Sequence, residues 1–103
     1  LPGGKVDEGE TEIQAAIREF HEEVGIQIKK KDLAPLYTEV CKGEVDYLTT
    51  TFLLHQHRIP MLFEQKIVPE VGFVVEWKPA KELLDPNISP FAEYNHKVFA
   101  AAC

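Results

Sequence analysis

Residues 4–26 read GKVDEGETEIQAAIREFHEEVGI and combine a glycine-rich loop with one acidic helix. Within that helix, Glu22 and Glu23 follow Glu19 by three and four residues. At about 100° per residue, the three carboxylates project from the same face. They repel one another unless a positive charge lies between them. A hard divalent cation such as Mg2+, which prefers oxygen ligands, is the obvious candidate.

Both ends of the helix are indicated by the sequence. Thr11 and Gln14 have the spacing of a capping box at the N-terminus. Gly25 is a natural C-terminal stop, because glycine adopts positive φ angles without strain. The opposite side of the helix carries an apolar stripe, which consists of Ile13, Ala16, Ile17, Phe20 and Val24. The sequence therefore predicts a helix that begins after Thr11 and ends before Gly25.

The residues around the helix form a longer pattern than E-x-x-E-E alone, which by itself is typical of a solvated acidic surface. The pattern is Gly4, five residues, Glu10, seven residues, Arg18-Glu19-Phe20, one residue, Glu22-Glu23, one residue and Gly25-Ile26. This is the signature of the Nudix box, and the chain resembles a Nudix hydrolase of the MutT-like family. The run Leu1-Pro2-Gly3-Gly4 is similar to the start of the MutT-type box.

The resemblance implies an α/β fold, the Nudix fold, in which a mixed β-sheet is sandwiched between helices. The order of helix, strands, short helix and terminal helix in the chain favours the same α/β/α class. In that fold, strands precede the box, and they are missing here. We therefore expect a single Nudix domain over residues 1–103 that is incomplete at its N-terminus, as a fragment of a longer chain.

The remaining elements are predicted from alternation and from the positions of proline and glycine. They are a solvated turn over residues 29–32, a hairpin of strands over 37–41 and 45–57, an irregular segment with one helical turn over 58–69, a strand over 71–77, a short helix over 79–84 and a terminal helix over 91–102. Ser89 is the expected N-cap of the terminal helix, with Pro90 at its first position.

Nudix hydrolases cut a nucleoside diphosphate linked to another moiety, so the resemblance implies hydrolysis of a phosphoanhydride with Mg2+ as cofactor and Mn2+ as a possible substitute. Glu22 and Glu23 are the implied metal ligands, and the backbone carbonyl of Gly3 joins them. Glu19 is either the base that takes a proton from the attacking water or a further metal ligand. Arg18 is implied to orient Glu19 by pairing with acidic neighbours.

A carboxylate outside the box serves as base or extra ligand in some family members. Glu70 is the best positional match for that role, and Glu64 and Glu76 are alternatives. For substrate binding we assign Gly4, a backbone position of the loop, and Asn95, whose surroundings resemble the stretch by which MutT-type enzymes read a purine.

The expected substrate is a (deoxy)nucleoside triphosphate or a modified nucleotide. The alternatives are an ADP-ribose or nucleotide-sugar pyrophosphatase and a Nudix-fold module that senses a nucleotide without cleaving it. The residues past the box, Lys42-Gly43-Glu44, lack the proline and tyrosine typical of ADP-ribose and dinucleoside polyphosphate hydrolases.

Composition sets further bounds. The chain has 103 residues, enough for one core, and a net charge of −6, which argues against sequence-independent binding of nucleic acid. No apolar run has the length of a membrane span. Cys41 and Cys103 are too few for a disulfide framework, so we expect a reduced, cytoplasmic setting. We expect a monomer or homodimer with a small nucleotide as its partner.

Overall fold

The computed structural model describes residues 3–71, 75 and 77–102. The chain divides into two compact units, which are described separately below. The first unit contains residues 1–34 and 52–75, and the second contains residues 35–51 and 76–103.

The first unit begins with a loop and the acidic helix α1, Glu12–Val24. Thr11 is the N-cap, and both halves of the capping box with Gln14 are formed, at 2.9 and 3.2 Å. Gly25 ends the helix in a left-handed conformation with φ 84°. The predicted bounds of this helix are therefore confirmed at both ends.

The core of the first unit lies against the apolar side of α1. Its buried members are Val24, Ile26, Ile28 and Leu62. Partly buried apolar side chains surround them, namely Ile17, Phe20, Leu33, Leu54, Phe63, Ile67 and Val75. Leu62 belongs to a single helical turn, α2, Ile59–Leu62, which confirms the turn predicted within 58–69. Burial of the apolar stripe fixes which face of α1 remains available for chemistry.

The predicted solvated turn at 29–32 is a short 3-10 helix, Lys30–Asp32. Its lysines are exposed, but the prediction is wrong for Asp32, whose side chain is 0% exposed. The carboxylate accepts hydrogen bonds from Lys29 N–H at 2.9 Å and from Arg58 Nε at 2.6 Å. A buried carboxylate is tolerated here because it is both paired and hydrogen-bonded.

Two strands form an antiparallel hairpin, β1, Leu33–Cys41, and β2, Tyr47–Leu54. Strand β1 begins four residues earlier than predicted, because Pro35 is exposed at a sheet edge, where a missing N–H is tolerated. Strand β2 ends at Leu54, before the predicted residue 57. The His55 N–H donates to Asp32 O at 2.9 Å, and a 3-10 turn, Gln56–Arg58, follows.

The second unit contains the distal part of the hairpin and two helices, α3, Ala80–Leu83, and α4, Ala92–Ala102. Both lie where helices are predicted. The predicted cap of α4 is wrong, because the helix begins at Ala92, so that Ser89 and Pro90 lie in the turn before it. Ser89 Oγ accepts a hydrogen bond from Phe91 N–H at 3.3 Å within that turn. The predicted strand over 71–77 falls mainly on residues 72–74 and 76, which lie outside the described residues. Helices together with the hairpin confirm the α/β class.

Candidate active site

Arg18 is the centre of a hydrogen-bond network that joins the loop before α1 to the acidic face of the helix. Its guanidinium binds Glu10 with two parallel hydrogen bonds, Nε to Oε2 at 2.8 Å and Nη2 to Oε1 at 3.0 Å. Nη1 donates to Glu19 Oε1 at 2.8 Å and to Glu22 Oε2 at 3.3 Å. Nη2 also donates to the backbone carbonyl of Lys5 at 2.9 Å. Such fork-like pairing fixes the planes of both partners.

The ion pairs stabilise the charged forms of the groups in this network. The guanidinium of Arg18 and the N–H of Asp7 hold the pKa of the Glu10 carboxyl below its ordinary value. The hydrogen bonds to Glu10 and Glu19 raise the pKa of Arg18. The exposed side chain of Asp7 forms a further ion pair with Arg18, with Oδ2 3.4 Å from Nη2. Both shifts favour the charged forms of Glu10 and Arg18.

Gly4 lies directly against the carboxylate of Glu19. A Cβ atom placed on Gly4 would lie 2.5 and 2.6 Å from the two carboxylate oxygens, so only glycine permits this approach. Glu19 is consequently held from two sides, by Gly4 and by Arg18. Its side chain is 17% exposed, whereas that of Glu22 is 52% exposed.

Glu23 lies against the start of the loop. Its Oε2 accepts a hydrogen bond from the Gly3 N–H at 3.0 Å. Partial burial raises the pKa of the Glu23 carboxyl, the Gly3 N–H lowers it, and the negative charges of Glu19 and Glu70 raise it further. The structure thus brings Gly3, Gly4, Glu19 and Glu23 together, with more negative than positive charge around Glu23.

The donor chemistry of this group fits a hard divalent cation, since it consists of carboxylate oxygens with an excess of negative charge. Among the described residues, however, no three His, Cys, Asp or Glu side chains are already arranged around one metal position. The reason is that Glu19 and Glu22 are turned towards Arg18. Glu22 is half exposed and its contact with Arg18 is long, at 3.3 Å, so a bound cation would compete with Arg18 for this carboxylate.

The loop acid Glu70 lies in the segment that follows α2, and it is exposed. Its charge acts on Glu23, which places the two carboxylates in the same electrostatic environment. Of the alternatives, Glu64 is exposed as well, and Glu76 lies outside the described residues.

Asn95 belongs to the second unit, on α4. It is 3% exposed, and its side-chain amide donates to the Leu83 carbonyl at 2.8 Å. This contact joins α4 to the end of α3. The assignment of Asn95 to substrate binding stays a prediction, and the hydrogen bond gives this residue a packing role within its unit.

Some contacts of the network were not predicted from the sequence. Asp7 and the Lys5 carbonyl both bind Arg18, and the signal that could have indicated them is their place between Gly4 and Glu10 in a loop that must turn back onto the helix. A pair formed by Gln65 and Gln27 across 38 residues had no sequence signal.

A cleft of about 370 Å³ runs along one flank of α1, and it is lined by Gln14, Ile17, Arg18, His21, Glu22 and Gln27. Its volume is in the range of small-molecule sites. Arg18 and Glu22 therefore belong both to the cleft and to the network of acidic side chains.

The family model of the NUDIX domain matches residues 1–101. No curated protein matches the chain. Among the described residues, every helix is too short or too polar to cross a membrane.

Proposed function

Since the chain belongs to the NUDIX domain family, we propose that it is a Mg2+-dependent pyrophosphohydrolase of MutT type that acts on a (deoxy)nucleoside triphosphate or a modified nucleotide. The family hydrolyses nucleoside diphosphates linked to another moiety and generally uses divalent metals. The observation that carries the proposal is the joint placement of Gly3, Gly4, Glu19 and Glu23 at one end of the network centred on Arg18.

We assign the cation to Glu22, Glu23 and the Gly3 carbonyl. When bound, Mg2+ supplies positive charge that neutralises the pyrophosphate. Burial first, and then the negative charges of Glu19 and Glu70, raise the pKa of the Glu23 carboxyl, and a cation beside it would offset both effects, which supports the assignment. Glu22 contributes from a half-exposed position, where it would exchange its 3.3 Å contact with Arg18 for the cation.

The reaction needs a base. In the proposed step, the oxygen of a water molecule forms a bond to phosphorus, a bridging P–O bond breaks, and the water proton passes to a carboxylate. Glu19 is our first choice for that carboxylate. Its alternative role is that of a further metal ligand. Its support is the fixed orientation given by Arg18 at 2.8 Å and by the contact with Gly4. Glu70 is the second choice.

Arg18 acts in this proposal through Glu19 and not on the substrate. The guanidinium contacts five groups, and all of them belong to the loop or to α1: the Lys5 carbonyl, Asp7, Glu10, Glu19 and Glu22. Gly4 contributes by its missing side chain, which leaves room beside Glu19. Asn95 stays the candidate for contact with the base of the nucleotide.

The test is a panel of nucleoside triphosphates, ADP-ribose and nucleotide sugars, incubated with the protein and Mg2+ while release of phosphate or pyrophosphate is measured. We expect turnover of at least one triphosphate. Glu23→Gln should lower kcat by about 100-fold, because it removes a charged ligand. Glu44→Gln, the same change at an exposed residue beyond β1, is the matched control and should leave kcat unchanged.

Two results would contradict the proposal. One is binding of nucleotides without turnover of any panel member by the folded protein, which would support a sensing module. The other is a Glu23→Gln variant as active as the Glu44→Gln control. If the protein hydrolyses only ADP-ribose or a nucleotide sugar, the proposed substrate class is wrong and the proposed reaction type stands.

A further inference from the structure

The segment that follows α2 is attached to the end of α1 by an unusual side-chain contact. The side-chain amide of Gln65 binds the backbone of Gln27 in both directions. The Gln27 N–H donates to Gln65 Oε1 at 3.1 Å, and Gln65 Nε2 donates to the Gln27 carbonyl at 3.1 Å. The amide side chain thus takes the place that a neighbouring strand would occupy in a sheet.

A backbone contact follows three residues later. The Val68 N–H donates to the Val24 carbonyl at 2.8 Å. Gly25 makes this approach possible, since a Cβ atom there would lie 2.6 Å from Val68 N and 2.7 Å from Val68 O. Residues 65–68 are therefore held against residues 24–27 at two points, one through a side chain and one through the backbone.

These two points determine where Glu70 lies. Glu23 immediately precedes Val24, and Glu70 is two residues beyond Val68. Two residues of extended chain span about 7 Å, so Glu70 stays close to the end of α1 as long as the segment is attached.

We propose that Gln65 is a positioning residue, whose side-chain amide holds residues 65–70 on the end of α1 and thereby keeps Glu70 beside the acidic face of the helix. The inference rests on the proposed function, because Glu70 is one of its two candidate bases. It adds a residue outside the box that acts only through another side chain.

The two hydrogen bonds between the Gln65 amide and the Gln27 backbone, called the clamp below, can be removed without unfolding the unit. Gln65 itself is exposed. The same segment is anchored in the core by Leu62, Phe63 and Ile67. Replacement of Gln65 therefore removes the two amide contacts and leaves the apolar anchors in place. Gln65→Leu has a similar side-chain volume, and Gln56→Leu is a matched control, since Gln56 is an exposed glutamine of the same unit.

The first measurement is amide hydrogen exchange of the intact chain, which needs neither metal nor substrate. In Gln65→Leu, we expect the Gln27 and Val68 amides to exchange at least about 10-fold faster than in the wild type, because the segment opens locally. Gln56→Leu should leave both rates unchanged. Unchanged protection at Gln27 and Val68 in Gln65→Leu would overturn the clamp.

The second measurement is a double-mutant cycle with Glu70→Gln on the best substrate of the panel. We expect Gln65→Leu to lower kcat about 10-fold at unchanged KM, and to have no further effect in the Glu70→Gln background. Effects that multiply would show that Gln65 does not act through Glu70, and would overturn the inference. If the wild type hydrolyses nothing, the proposed function fails, whereas the exchange measurement still decides on the clamp.

Discussion

At the scale of single residues, the decisive feature is how side chains meet around Arg18. The motif predicts that Arg18 and Glu10 matter, since both have fixed places in the box, and the structure joins them by two hydrogen bonds. The pairing of Glu22 with the same guanidinium also follows from the sequence, since the two residues are four apart on one helix. The sequence could not predict the contact of Gln65 with Gln27, since nothing local relates two residues so far apart.

Gly4 offers a sharp test at this scale. Gly4→Ala puts a methyl group into the space of the Glu19 carboxylate, so this carboxylate must shift from its present position. We expect kcat to fall by about 10-fold to 100-fold, since a misplaced catalytic group loses its geometry. The measurement is steady-state hydrolysis. The far-ultraviolet circular dichroism of the protein checks that its helix content is unchanged.

Gly43→Ala is the matched control, because a Cβ atom on Gly43 makes only ordinary contacts, at 3.5 Å to Val45 O and 3.7 Å to Tyr47. It should retain full activity. A Gly4→Ala enzyme as fast as the Gly43→Ala enzyme would mean that the position of Glu19 does not limit the reaction.

At the scale of elements, the bounds of α1 follow from the sequence, whereas the start of β1 and the burial of Asp32 do not. Helix α1 begins and ends as predicted, because the Thr11 cap and Gly25 act within a few residues of the sequence. The predicted start of β1 is wrong, since Pro35 lies within the strand and not before it. The sequence does not indicate that Asp32 is buried, because the partner that allows its burial, Arg58, is 26 residues away.

Asp32 gives a prediction about how the 3-10 turn Lys30–Asp32 is held to the 3-10 turn Gln56–Arg58 that follows β2. The Lys29 N–H, and then Arg58, lower the pKa of its carboxyl below the ordinary value of about 3.9. A lowered pKa in the folded state stabilises the fold above the unfolded pKa, and this contribution is lost as the pH falls through the folded pKa. Asp32→Asn should therefore reduce the free energy of unfolding by about 2 kcal/mol at pH 7.

Urea unfolding at pH 7 and at pH 3 checks this. The difference between wild type and Asp32→Asn should shrink at the lower pH, where the wild-type carboxylate begins to take up its proton. Asp46→Asn is the control, because Asp46 forms an exposed ion pair with Lys42 and should change stability by less than about 1 kcal/mol at either pH. A difference for Asp32→Asn that is the same at both pH values would contradict the assigned ionisation.

At the scale of the whole molecule, the family and the α/β class could be predicted, because a long motif and the order of elements carry that information. The organisation as one domain, the oligomeric state and the cytoplasmic setting stay predictions. The acidic groups proposed for catalysis all belong to the first unit, whereas Asn95 belongs to the second. Substrate choice therefore depends on information that the box does not contain.

The central claim is that the end of α1 and the glycine loop hold a divalent cation. Paramagnetic broadening of backbone amide signals by substoichiometric Mn2+ tests it most directly, with Glu23→Gln beside the wild type. We expect the signals of Gly3, Gly4, Glu22 and Glu23 to broaden first in the wild type. In Glu23→Gln, these four signals should no longer broaden before the others. Two results would contradict the account: broadening that begins at the amides of His55 and His57, whose rings lie 5.6 Å apart, or broadening that is the same in both proteins.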